Sequence, residues 1–126
     1  MEVLPNHATP ERLDHLAPIG VPAVSIGAQS FHEGVLHHLG RPHDAATARA
    51  AGQAAVGRFA CVDVDLIVDV ALETPGPAQV AAFSAFPDDI RTCLAAGVEQ
   101  VSTHPSCPSG TPFRILRVRS QSRALR

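Results

Sequence analysis

Apolar residues in this chain are concentrated in short runs bounded by glycine or proline. The runs are rich in β-branched residues, which favours buried strands over helix segments of the same length. The predicted strands cover Val21 to Ala28, Cys61 to Val68 and Val98 to Thr103, and Glu2-Val3-Leu4 is a marginal fourth candidate.

Helical patterns fill the intervals between these strands. The first predicted helix is capped by Thr9 and ends near Gly20, the second is capped by Ser30 and runs to His38, the third is capped by Asp44 and runs to about Gly57, and the fourth spans Ala78 to Ala96. Pro87 should kink or split the fourth helix. The order β-α-β-α-α-β-α-β predicts an α/β fold with a parallel sheet and right-handed crossovers.

Side chains alternate between the two faces of a strand, and the alternation here predicts one apolar and one polar face. The polar face collects Ser25, Gly27, Gln29, Asp63, Asp65, Gln100, Ser102 and His104. A polar face on central strands is costly unless its groups find partners. Gln29, Asp65 and His104 fall near the C-terminal strand ends, where barrels bind ligands. The face is therefore interpreted either as a cofactor or substrate cleft or as an internal hydrogen-bond network.

Length and charge narrow the class of protein. The 126 residues suffice for one domain, and a formal charge of −2 gives no indication of a nucleic-acid partner. No apolar run approaches the roughly 18 residues of a membrane span, and the first residues do not resemble a signal peptide, so a cytoplasmic protein is expected. Cys61, Cys93 and Cys107 are odd in number and widely spaced, which does not predict a disulfide framework.

One stretch resembles a known family. "VPAVSIGAQSFHEGVLHHLGRPHDAATARAA" is similar to the segment of radical S-adenosylmethionine (SAM) enzymes written GVxRxSxGxQSFxxxxLxxLGRxHxxxxxxxA. The subgroup is that of oxygen-independent coproporphyrinogen III oxidase, with its heme-chaperone and radical methyltransferase relatives. "CVDVDLI", "TPGPAQVAAF" and "GVEQVSTHPSCPSGTPF" resemble later elements of the same family, in the same order.

The resemblance implies a fold and a cofactor. Residues 1–113 would form a partial (β/α) radical SAM barrel with parallel strands and outer helices, and 114–126 an arginine-rich, flexible tail. The positions that match SAM-contacting residues of the family are Glu2, Gln29, Arg41 and Asp65. Their chemistry suits the role, because glutamine both donates and accepts, arginine can clamp a carboxylate, and carboxylates accept from hydroxyl or ammonium groups.

The chain departs from the family in one large respect. Radical SAM enzymes hold a four-iron, four-sulfur cluster on a CxxxCxxC loop, and no such motif occurs here. We therefore expect a fragment of a coproporphyrinogen III oxidase-like enzyme, which acts on a tetrapyrrole or a related substrate or transfers methyl groups. Alone it should be inactive, and a cluster-bearing polypeptide could complete the barrel. No catalytic residue and no metal ligand is assigned.

Two alternatives from other classes stay open. Seven histidines, among them His32, His37, His38 and His43, allow a small metal or heme binder, although their spacing is not that of an i, i+4 ligand pair. The other alternative is a structural or interaction module without a ligand.

Overall fold

The computed structural model describes residues 1–70, 77–106 and 118–119, with side chains for 1–67 and 86–104. Within these residues the chain forms a five-stranded sheet in the order β1-β2-β3-β4-β5. The strands are β1 (Glu2–Val3), β2 (Ala23–Gln29), β3 (Cys61–Val70), β4 (Gln100–Ser106) and β5 (Val118–Arg119). Strands β1 to β4 are parallel, and β5 is antiparallel to β4. The predicted α/β class and the marginal first strand are confirmed, whereas β5 was not predicted.

Four α-helices connect the parallel strands in the described part of the chain. They are α1 (Pro10–Leu16), α2 (Glu33–His38), α3 (Ala45–Ala55) and α4 (Pro77–Ala96), with short 3₁₀ turns at Pro5–His7 and Ala17–Ile19. None of the helices in the described residues is both long and apolar enough to cross a membrane.

Two of the three predicted helix caps are confirmed. The Thr9 side chain accepts from the backbone N–H of Arg12, and Asp44 Oδ1 accepts from the N–H of Thr47 at 2.7 Å. The predicted cap at Ser30 is wrong, because α2 begins three residues later and the Ser30 hydroxyl is bonded elsewhere. Helix α4 continues through Pro87, so the proline does not split it.

The apolar face of the sheet forms the core, as the alternation predicted. Its fully buried side chains are Val24, Ile26, Val62, Val64, Leu66 and Val101. Small residues of α3, chiefly Ala48, Ala51 and Ala55, and Cys93 of α4 pack in the same cluster. Consecutive residues of a strand point to opposite faces of the sheet, so the polar residues of these strands lie on the other face. The helices cover only the apolar face.

Candidate functional site

The polar face carries connected hydrogen bonds across β2, β3 and β4. Ser25 Oγ lies 2.8 Å from Asp65 Oδ2 and 3.1 Å from Asp63 Oδ2. Ser102 Oγ lies 3.0 Å from both carboxylate oxygens of Asp63, and Gln100 Nε2 lies 3.5 Å from Ser102 Oγ. The parallel register places Ser25 beside Asp63 and Asp63 beside Gln100. The internal network that the sequence left open is therefore present for these residues.

Asp65 is a partly exposed carboxylate of this network. Its Oδ1 lies 3.1 Å from Nε2 of His104, and its side chain is 17% exposed while that of His104 is 35% exposed. Because Asp65 is not fully enclosed, a ligand above the face can reach it. Asp63 differs, since burial raises the pKa of its carboxyl and the neighbouring charge of Asp65 adds to the effect.

Glu2 and Gln29 both place side-chain atoms close to Gly27. Glu2 pairs in register with Ser25, so its side chain belongs to the polar face. A Cβ built on Gly27 would lie 3.5 Å from Nε2 of Gln29 and 3.6 Å from Oε1 of Glu2. The two side chains therefore approach the same point beside the end of β2.

Gln29 has an unusual backbone. Its φ of +69° is in the left-handed region, and among the described residues no other non-glycine residue has a positive φ. The pairing of β2 with β3 shifts between Ile26 and Gln29, so a bulge accompanies this conformation. A left-handed conformation costs a residue with a side chain about 1–2 kcal/mol. Strain of this kind at the end of a strand is typical of functional sites.

Two helices anchor the residues that follow Gln29. The buried carboxylate of Asp89 in α4 accepts from Ser30 Oγ at 2.7 Å and from the N–H of Phe31 at 3.0 Å. Arg49 Nη2 in α3 donates to the carbonyl of Phe31 at 3.1 Å. These bonds fix the chain on the C-terminal side of Gln29 and hold the glutamine in its left-handed conformation.

Arg41 lies in a separate pocket at the same end of the sheet. The pocket is lined by Asn6, Glu33, Leu36, His37, Arg41, Pro42, His43, Asp44 and Thr47 and has a volume of about 280 Å³. His43 Nε2 lies 2.9 Å from the carbonyl oxygen of Ala28, which holds this loop against the end of β2. Arg41 Nε is buried and has no hydrogen-bond partner among the described residues. An orphaned buried donor of this kind suits an anionic ligand.

The four residues implied by the resemblance are thus only partly brought together. Glu2, Gln29 and Asp65 lie on or at the end of the polar face. Arg41 belongs to the pocket beside that end, and no described contact joins it to the other three.

The described cysteines do not suit an iron–sulfur cluster. Cys61 is the first residue of β3, at the opposite end of the sheet from Gln29, and Cys93 is buried on the helix-covered side. Burial raises the pKa of Cys93 to about 12, which opposes the thiolate that a cluster requires. Cys107 lies outside the described residues. The two described cysteines therefore do not fit this cofactor.

The histidine-rich segment does not converge on a metal ion. His43 is buried against Ala28, whereas His32, His37 and His38 are exposed. In the described part of the chain, no three His, Cys, Asp or Glu side chains are grouped closely enough to hold a metal.

Sequence reasoning missed Asp89, and it assigned a cofactor contact to Asp65 but no role of its own to Asp63. Asp89 lies 59 residues from Ser30 in the chain, and nothing in the local pattern of α4 signals a buried carboxylate. The difference between the two strand aspartates depends on neighbours from β2 and β4 that only the fold supplies.

The fold and the site together define an α/β protein whose parallel sheet has a polar face ending in a strained glutamine. Among solved structures, the chain is similar to the coproporphyrinogen III oxidase HemN from Escherichia coli, a radical SAM enzyme, with a TM-score of 0.65 and 23% sequence identity. The match covers 84% of this chain and 23% of the HemN chain, so this chain spans less than a quarter of that enzyme. No family model and no curated protein matches. The likeness shows a shared fold.

Proposed function

We propose that this chain is part of a radical SAM barrel of the coproporphyrinogen III oxidase-like kind and that its polar sheet face binds SAM. The observation that carries the proposal is Gln29, a strained glutamine at the end of β2 whose Nε2, like Oε1 of Glu2, lies within 4 Å of the Cβ position of Gly27. Neither of these two side chains has a hydrogen-bond partner within the described residues, so both are available to a ligand. The similarity of the fold to part of HemN also supports this proposal.

The chemistry of the face suits the polar parts of SAM. Gln29 can donate and accept toward a ribose or amino-acid group, and Glu2 and Asp65 can accept from hydroxyl or ammonium groups. A bidentate contact with the carboxylate of SAM would use the Arg41 guanidinium, whose Nε lacks a partner among the described residues. Arg41 lies in the neighbouring pocket. SAM would therefore have to reach from the polar face of the sheet to the loop after α2 to make this contact.

Radical chemistry is not proposed for these 126 residues alone. When a cluster and SAM are bound together, the cluster supplies the electron that cleaves SAM. The described cysteines are unsuitable as its ligands, so cysteines from another segment or polypeptide would have to provide the cluster. Oxidation of a tetrapyrrole and methyl transfer are the two reactions that the resemblance suggests for the assembled enzyme.

The experiment is SAM binding measured by isothermal titration calorimetry. We expect saturable binding by the wild-type chain and at least tenfold weaker binding by Gln29→Ala and by Asp65→Asn. Gln53→Ala and Asp88→Asn are matched controls, because both residues are exposed on the helices away from the polar face. Circular dichroism would check that each variant is folded. Absence of SAM binding by the folded wild type, or equal affinity in all variants, would contradict the proposal.

A further inference from the structure

The hydroxyl of Ser25 lies within hydrogen-bond distance of two carboxylates but has only one proton to donate. Ser25 has one hydroxyl proton, yet its Oγ lies 2.8 Å from Asp65 Oδ2 and 3.1 Å from Asp63 Oδ2. Ser102 also has one hydroxyl proton, and it faces both oxygens of Asp63. If both aspartates were ionised, one of the two short contacts of Ser25 would lack a proton, and two negative carboxylates would face one hydroxyl oxygen.

The surroundings of the two carboxylates decide which one holds a proton. Asp65 Oδ1 lies 3.1 Å from Nε2 of His104, a ring nitrogen that can donate to a carboxylate. Among the described residues, Asp63 accepts hydrogen bonds from the hydroxyls of Ser25 and Ser102, and the titratable groups that interact with it are Asp65 and Cys93. Glu2 lies across β2, and Cys93 of α4 interacts with both Asp63 and Asp89 from the helix side. No arginine of the described chain pairs with Asp63.

We propose that Asp63 and Asp65 share one proton through Ser25 and so form an acid–base unit on the polar face. In its resting arrangement Asp63 is neutral and donates to Ser25 Oγ, Ser25 donates to Asp65, and Asp65 is the ionised partner of His104. The raised pKa of Asp63 agrees with this arrangement. The unit does not depend on the proposed SAM site, since it consists of contacts within the chain.

The arrangement allows a balanced proton shift. Asp63 gives its proton to Ser25 Oγ while the Ser25 proton passes to Asp65 Oδ2, so one O–H bond forms at each acceptor as one breaks at each donor. The result is a neutral Asp65 and an ionised Asp63, with no change in total charge. A cationic ligand above the face favours the resting arrangement, whereas an anionic or proton-accepting ligand favours the shifted one. Asp65, whose side chain is 17% exposed, can therefore act as an acceptor or as an acid.

The test follows each carboxyl by ¹³C NMR across a pH titration of the full chain without ligand. We expect the Asp63 signal to titrate at a higher pH than that of exposed Asp88, because burial raises the pKa of Asp63. The Asp65 signal should show two steps, one of them at the Asp63 midpoint, because the two groups are coupled. If Asp63 titrates together with Asp88, the proposal is wrong.

Three variants separate the parts of the unit. Asp63→Asn keeps a donor toward Ser25 and removes one titration, so it should fold and leave Asp65 with a single step. Ser25→Ala should abolish the second step of Asp65, and Ser25→Cys, which has a weaker donor, gives the same comparison if alanine prevents folding. Persistence of the second Asp65 step in both Ser25 variants would exclude the hydroxyl as the bridge. Asp88→Asn should change neither signal.

Discussion

Gly52 offers a direct test of how α3 packs against the sheet. It lies in the interior of α3 and is buried, yet a Cβ built on it would have no atom within 4 Å. It lines a pocket of about 230 Å³ between α3 and α4, together with Phe31, Val64 and Cys93. The substitution Gly52→Ala should therefore stabilise the protein without any rearrangement.

The magnitude follows from two contributions. Alanine in a helix interior is more favourable than glycine by about 0.5–1 kcal/mol. The added methyl group contributes at most about 0.8 kcal/mol of burial, and less here because the pocket is open to one side. We expect a gain of about 1 kcal/mol in the free energy of unfolding, which raises Tm by roughly 3–6 °C for a chain of this length.

The assay is thermal and urea unfolding followed by circular dichroism, with Gly57→Ala as the matched control. A Cβ on Gly57 would also meet no atom within 4 Å, but its φ is +85°. This variant should lose about 1 kcal/mol, because Gly57 has a left-handed backbone that alanine disfavours and, being exposed after the end of α3, gains neither helix propensity nor burial. A lower Tm for Gly52→Ala would refute the reasoning, since it would mean that the space beside α3 is filled.

Three further substitutions test the site and its electrostatics. Gln29→Gly should leave stability unchanged or raise it by up to about 1 kcal/mol, because glycine relieves the left-handed strain, while calorimetry should show that SAM binding is lost. Asp89→Asn should flatten the pH dependence of the free energy of unfolding in urea. Burial raises the pKa of Asp89 in the folded protein. The contribution of Asp89 to stability is therefore fully present below about pH 3.9 and is lost as pH rises through the raised pKa. If the unfolding free energy of this variant depends on pH as steeply as that of the wild type, Asp89 is not a source of the pH dependence. Asp44→Ala should destabilise the protein near pH 7 but not in strong acid, because the bond from Thr47 lowers the pKa of Asp44 and its contribution is lost as pH falls through that value. Equal destabilisation at both pH values would show that the cap does not depend on the charge.

Much of the fold was predictable because it depends on short-range patterns. The apolar runs place β2, β3 and β4 to within a few residues, and the caps at Thr9 and Asp44 are local arrangements of a side chain and a nearby N–H. The predicted helix cap at Ser30 was wrong because it, too, was inferred from the local sequence alone. A serine before a helix resembles a cap, and only the approach of Asp89 from α4 redirects its hydroxyl.

The site was predictable in residue type and only partly in geometry. Alternation along the strands identified the polar face, and the family resemblance singled out Glu2, Gln29, Arg41 and Asp65. The left-handed conformation of Gln29 could not be read from the sequence, because that region is typical of glycine. The separate pocket of Arg41 also required the structure, since the loop after α2 is positioned by the bond from His43 to Ala28.

The sequence by itself determined the order of strands and helices and the two faces of the sheet, because these depend on the spacing of apolar residues and on caps a few residues apart. The tertiary structure decided which polar groups become partners. Asp63 and Asp65 are two residues apart on one strand, yet one faces Ser102 and the other faces His104. The raised pKa of Asp63 therefore depends on burial and on groups from neighbouring strands, which are distant in sequence and become adjacent only when the sheet forms.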